Sequence, residues 1–154
     1  MLQMTRVRSY ALAHTHAHER IRNEVVLVAR LLLVVLFLVF GWSKLTDYAG
    51  TVGYMTQIGA PLPSLATLVA IMVEVFGALA VAVGLWTRPL ALLLALYALG
   101  TALIGHPFWM MEGADRYANA INFYKNISII GGFLLLYITG AGRYSVDAWR
   151  FKRA

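Results

Sequence analysis

Residues 65–86 read LATLVAIMVEVFGALAVAVGLW, an apolar run long enough to cross a bilayer, with a single acid, Glu74, near its middle. A carboxylate at the centre of such a helix costs about 2.5–3.5 kcal/mol on insertion scales, so it needs a partner or a purpose. Three further apolar runs, 25–41, 90–104 and 127–138, accompany it. The predicted fold is all-α: an integral-membrane, antiparallel four-helix bundle joined by short connections.

Composition supports this reading. The 154 residues are 60% hydrophobic and only 13% charged, against roughly 25% charged in soluble domains. The surface therefore faces the lipid bilayer, and the apolar runs leave no room for a separate soluble enzyme domain. The expected division is a basic leader over 1–23, a transmembrane domain over 24–142 and a basic tail over 143–154. The net charge of +6 is concentrated in those flanks. Arg6, Arg8, Arg20 and Arg22 precede the first span, Arg88 separates the second from the third, and Arg143, Arg150, Lys152 and Arg153 follow the fourth. The other side keeps Lys44, Arg116 and Lys125, offset by Asp47, Glu112 and Asp115. Such a bias predicts that both termini are cytoplasmic. Anionic headgroups account for the basic flanks without any nucleic-acid partner.

Cysteine is absent, which excludes disulfide catalysis, thiolate ligation of zinc and Cys-held iron–sulfur clusters within this chain. No small-residue cleavage pattern follows the first apolar run, so that run is expected to stay in the mature protein. In the leader, His14, His16 and His18 alternate. On a strand they could share a face and bind a metal, but with Glu19 as the nearest carboxylate a solvated or headgroup-lying tail fits better. The spacing of Leu2, Val7, Tyr10 and Leu12 allows a weakly amphipathic surface helix there.

Residues 24–44 cover roughly 30 Å as a helix, matching the hydrocarbon thickness. The Gly- and Pro-rich stretch 47–63 should lie along the outer interface with a short helix at 50–57, and Ser64 is placed to cap the second span. Trp86-Thr87-Arg88-Pro89 reads as a tight inner turn. Residues 108–120 read as an outer loop with headgroup-level aromatics, and the fourth span as starting near Ile121.

The candidate site residues follow from polarity inside this frame. Ala70, Glu74, Gly77, Val81 and Gly84 fall on one helical stripe, whose small residues would let another helix approach. Glu74 is then interior: either a buried bond that fixes helix register, or a protonatable anchor for a ligand. Arg30 lies just inside the first run. Snorkelling to the inner headgroups suits it best; reaching Glu74, about 8–10 Å deeper, is the alternative. At the outer end, Lys44 closes the first helix, His106 the third, and Asn122, Lys125 and Asn126 share one face of the fourth. Alone, each is an ordinary interface residue. Together they suggest an outward-opening polar pocket, with Glu74 at its floor and Trp42, Tyr48 and Tyr124 nearby. An amphipathic ligand such as a quinone suits it, its carbonyl oxygens held by amine and amide donors. His106 or Glu74 could manage protons. One imidazole, one deep carboxylate and amines are a poor metal set, and no pair of haem ligands is present, so neither metal nor haem is expected.

Ala29-Arg30, Gly41-Trp42-Ser43-Lys44-Leu45, Glu74-x-x-Gly77 leading to Gly84-Leu85-Trp86-Thr87-Arg88, and Phe123-Tyr124-Lys125-Asn126 running into Gly131-Gly132 resemble the DoxX family over about residues 28–149. The resemblance implies a four-helix, multi-pass protein of the bacterial inner membrane. The family takes its name from a subunit linked to quinone-reducing sulfur oxidation, and other members are associated with redox-stress complexes. The positions matching its pattern are Arg30, Lys44, Glu74, Lys125 and Asn126; the histidine-containing leader lies outside it. Three functions stay open, because fold constrains function loosely. The first is an accessory subunit of a quinone-linked oxidoreductase, supplying a quinone site, with no catalytic residue identified. The second is a scaffold that docks a soluble redox or stress partner. The third is a solute or proton pathway gated by Glu74, for which four short helices would need a homo-oligomer.

Overall fold

The computed structural model describes the backbone of residues 2–151 and the side chains of residues 19–150. The side chains of His14, His16 and His18, and residues Lys152 and Arg153, lie outside that description. Among the described residues there are helices and no strand: α1 (Leu2–Thr46), α2 (Tyr48–Gln57), α3 (Pro63–Ile71), α4 (Ala78–Val83), α5 (Thr87–Gly105), α6 (Gly113–Thr139) and α7 (Val146–Phe151). A π-helical segment, Met72–Gly77, joins α3 to α4. Four stretches are long and apolar enough to cross a membrane: Glu19–Thr46, Pro63–Val83, Thr87–Met110 and Gly113–Thr139. Short connections make successive spans antiparallel. The connection after α6 therefore returns to the first half of α1, at what we call the terminal end, and α2 lies at the opposite, distal end.

Turn chemistry sets the element boundaries. Asp47 accepts a hydrogen bond from the Gly50 amide at 3.0 Å and so caps α2, a helix that matches the one expected over 50–57. The second span starts one residue before the expected cap: Pro63 occupies its first turn and Leu62, with φ of 48°, precedes it. Ser64 is thus already helical, and its carbonyl accepts from the Tyr48 hydroxyl at 3.1 Å. Gly84, with φ of 75°, ends α4. Asp147, from α7, then caps α5 from outside, accepting from the Trp86 and Thr87 amides at 2.8 and 2.9 Å. At the distal end, Pro107 stops α5 because it cannot donate to a continuing helix. The expected loop over 108–120 is mostly helix: α6 begins at Gly113, because Ala114, Ala118 and Ala120 are strong helix formers whose polar neighbours lie beyond the apolar run.

The core is built from small residues. Ala78 and Val81 of α4, Ala91, Leu94, Ala95 and Ala98 of α5, and Phe133 and Leu136 of α6 surround Val34 and Phe37 of α1. Alanine at the α5 crossings lets helices approach closely where lipid supplies no hydrophobic drive. Large apolar side chains such as Leu32 and Ile138 are 68% and 70% exposed, as a lipid-facing shell requires.

The π-helical turn, with its i→i+5 hydrogen bonding, lies within the buried stripe of the second span. Ala70, Glu74, Val81 and Gly84 of the expected stripe are buried, and between Glu74 and Val81 it is Ala78 rather than Gly77 that is fully enclosed. The close approach is made from the other side. A Cβ on Gly41 of α1 would stand 2.8 Å from the Glu74 Cβ and 3.0 Å from its backbone carbon, whereas one on Gly77 would meet nothing nearer than 3.9 Å.

Candidate functional site

Glu74 sits in the middle of the π-helical segment and is only 6% exposed. Both of its oxygens are engaged. Lys44 Nζ, from the last turn of α1, donates to Oε2 at 2.7 Å. The Tyr97 hydroxyl, from the middle of α5, donates to Oε1 at 2.5 Å. Three spans therefore converge on one carboxylate. Charge-assisted bonds of this length are the strong kind, and they offset the desolvation that a buried acid suffers. The Lys44 ammonium also lies 5.7 Å from the centre of the Phe40 ring. Below the carboxylate, Phe37 packs between the rings of Tyr97 and Phe133, with centroids at 6.4 and 5.4 Å.

This group forms part of the wall of a cavity of about 760 Å³ at the distal half of the bundle, within the range typical of small-molecule sites. Lys44, Glu74, His106, Asn122, Lys125 and Asn126 all line it, so six of the seven residues singled out in the sequence come together. On α6, Lys125 Nζ donates to Asn122 Oδ1 at 2.7 Å. Among the described residues Lys125 has no carboxylate partner. His106 is held by Asn119: Nδ1 and Oδ1 are 2.9 Å apart, and Asn119 Nδ2 donates to the Asp115 carbonyl at 3.0 Å. That second bond orients the amide, so Nδ1 is the protonated nitrogen and a neutral ring keeps Nε2 as an acceptor. Gly50, Thr51, Tyr54 and Met55 of α2 complete the distal wall. Among the described residues no cluster of three His, Asp or Glu side chains could hold a metal ion.

The seventh residue, Arg30, is elsewhere. It is 1% exposed and neither snorkels nor reaches Glu74. Its Nη1 and Nη2 donate to the carbonyls of Ala141 and Tyr144 at 2.5 and 2.8 Å. Gly84 leaves the space it fills, since a Cβ there would stand 2.6 Å from Nη1. Backbone carbonyls left free after α6 are closer partners than a carboxylate that faces Gly41, about three turns further along α1. Trp42, Tyr48 and Tyr124, expected beside the pocket, are exposed on the bundle surface and do not line it.

The sequence reading missed Tyr97 and the α2 contribution. A tyrosine in mid-membrane, far from the interfaces where tyrosine usually sits, was the available signal for the first. For Tyr54 and Met55 no local signal exists, because they reach the cavity only through the way α2 packs.

Comparison with known proteins agrees with this architecture. The DoxX family profile matches residues 25–107, which take in Arg30, Lys44, Glu74, Tyr97 and His106 and stop before α6. The chain is similar to the inner membrane protein YphA of Escherichia coli (strain K12), with 48% identity over 126 residues covering 82% of this chain and 90% of that one. It is also similar to the inner membrane protein YqjF of the same strain, with 43% identity over 132 residues covering 84% and 94%. A more distant likeness, 25% identity over 130 residues, links it to the ER-derived vesicles protein ERV29 of Saccharomyces cerevisiae, covering 84% of this chain and 35% of that one. No solved structure matches. A family match over more than half the chain, relatives near half identical along almost their whole length, and four bilayer-length helices lead to one conclusion: the chain belongs to the DoxX family and is a multi-pass protein of the bacterial inner membrane.

Proposed function

We propose that the protein is a quinone-binding membrane subunit of a redox assembly, with the distal cavity as its ligand site. The observation that supports this most is a buried carboxylate held by an amine and a phenol at the wall of a 760 Å³ cavity. The cavity also carries the Lys125 amine, bonded to Asn122 and without a carboxylate partner among the described residues. Lys125 and the Asn126 amide are donors suited to carbonyl oxygens, and the mainly apolar remainder suits a hydrophobic ring and tail. The Tyr97–Glu74–Lys44 chain supplies groups that can exchange a proton with a bound head. The protein has no thiol, so electrons would have to come from a partner or another cofactor; a quinone, when bound, supplies the two-electron chemistry.

Equilibrium binding of a short-chain benzoquinone analogue to the purified protein in nanodiscs tests this reading. Losing a charged donor costs about 1.5–3 kcal/mol, so Lys125→Ala should bind roughly 10- to 100-fold more weakly. Unchanged affinity in both Lys125→Ala and Glu74→Gln would remove the proposal.

A second reading, docking of a soluble redox partner, is favoured by a different surface. Arg20, Arg22, Arg88, Arg143 and Arg150 are all exposed, on the segments that gather at the terminal end. Such a complex would survive Glu74→Gln and be lost when residues 150–153 are removed.

A further inference from the structure

We infer that the ligand of the distal cavity is a long-tailed amphiphile whose tail leaves the bundle between α3 and α5 into the surrounding lipid. The inference rests on the head-group site proposed above and adds the path and the tail.

The cavity has a polar and an apolar side. Its amines and amides come from the end of α1 and from α6, and Glu74 and Tyr97 lie between. Where α3 faces α5 the lining is Ala66, Val69 and Ala70 on one side and Gly100, Thr101 and Ile104 on the other. The one hydroxyl among them, on Thr101, is already spent on the Ala98 carbonyl at 3.0 Å.

That side is also open. α5 packs on the π-helical segment and on α4, but makes no comparable contact with α3. A Cβ on Gly100 would meet nothing within 4 Å. Val69 and Ile104 line the cavity and still keep 47% and 46% of their surface exposed, more than side chains enclosed within the bundle would. A side chain that faces both an interior space and the lipid marks the rim of an opening between them. Since both residues lie within membrane spans, the opening meets hydrocarbon rather than water.

Leu36 and Phe40 form a comparable rim between α1 and α6. That route is less suited to a tail. The Lys44 ammonium stands over the Phe40 ring, and toward the terminal end the two helices close where Phe37 meets Phe133 and Leu33 meets Gly132. A tail leaving there would pass beside a charge; one leaving between α3 and α5 stays in apolar surroundings throughout. Moving a tail from lipid to an apolar groove gains little free energy, so the opening acts sterically: it lets the head seat while the tail remains in the membrane.

The absence of cysteine makes the test clean. Val69→Cys and Phe40→Cys are each labelled in detergent, after folding, with a bulky maleimide and returned to nanodiscs. Binding of a tail-less benzoquinone and of the same head with an isoprenoid tail is then measured on labelled and unlabelled protein. Labelling at residue 69 is expected to weaken the tailed ligand about tenfold or more and the tail-less one by less than about twofold, with no such split at residue 40. Equal effects on the two ligands at residue 69, no effect on either, or a split at residue 40 instead would overturn the tail path while leaving the head site standing. If neither ligand binds the unlabelled protein, the head site and the tail path fall together.

Discussion

Gly41 of α1 faces Glu74 so closely that a Cβ at residue 41 would stand 2.8 Å from the Glu74 Cβ and 2.9 Å from Val75 Cγ2. The missing side chain is what brings the first span against the π-helical segment. One turn further along α1, Lys44 then arrives within hydrogen-bonding distance of the carboxylate. Backbone lies behind part of the contact, so it cannot yield by a rotamer change. Gly41→Ala should therefore cost about 1–3 kcal/mol, read as a lower midpoint in detergent-driven unfolding. An unchanged midpoint would mean that α1 does not rest on this segment.

Separating what the ion pair does for the fold from what it does for a ligand calls for a pair of substitutions. Lys44→Met leaves Glu74 buried without its cation, and breaking a buried pair in this way costs about 3–5 kcal/mol. Adding Glu74→Met removes the stranded charge at similar volume and should recover most of the loss. The double variant is expected to unfold near the wild-type midpoint while binding the quinone analogue poorly. Full binding by the double variant would assign the pair to structure alone.

Much of this was legible in the sequence, and the limits have physical causes. Four apolar runs dictate four spans whatever the details, because backbone in hydrocarbon must satisfy itself as helix. The convergence of Lys44, Glu74 and Lys125 could be anticipated from depth alone, since residues at one depth on neighbouring helices have few directions in which to avoid lipid. Depth does not give azimuth. Trp42 and Tyr124 share the depth of Lys44 and Lys125 but point outward, and of the two residues one turn beyond Glu74 it is Ala78, not Gly77, that is fully enclosed, a choice that a 3.6-residue period leaves open. Arg30 was misplaced for a third reason: its partners are backbone carbonyls of a connection, and the sequence does not mark those as acceptors.

Arg30 gives a prediction at the other end of the bundle. It ties α1 to the connection between α6 and α7 through the carbonyls of Ala141 and Tyr144. The same connection is held from the side by the Arg143 amide, which donates to Asn23 Oδ1 at 3.1 Å. Arg30→Met should cost about 3 kcal/mol or more, two charged donors being lost. The loss should appear first as local opening, so trypsin should cleave after the exposed Arg143 faster than in the wild type. Arg30→Lys should recover only part, because an ammonium cannot fork to both carbonyls. Analogue binding at the distal cavity should be unaffected in both, and a matching loss of binding would show the two ends to be coupled.

Asp147 offers a narrower test at the same end. Its carboxylate receives the first amides of α5, a capping role worth about 0.5–2 kcal/mol. Asp147→Asn keeps an acceptor and should lose less than Asp147→Ala in the same unfolding assay. Equal losses would mean that the negative charge at the helix start, rather than the acceptor, is what matters there.

The remaining prediction concerns which way the bundle sits. Arg20, Arg22, Arg88, Arg143 and Arg150 gather at the terminal end, while the distal end has Lys44 and Lys125 within the cavity wall and Arg116 beside Glu112 and Asp115 in sequence. Arginine near short connections is retained on the cytoplasmic side, so the terminal end should face the cytoplasm and α2 the periplasm. A membrane-impermeant maleimide added to intact spheroplasts should then label Thr56→Cys, exposed at the end of α2, and spare Arg143→Cys until the membrane is broken. The reverse pattern would invert the topology. The cavity would then sit on the cytoplasmic side, within reach of cytoplasmic rather than periplasmic partners, and the arginine-rich end could no longer dock a cytoplasmic protein.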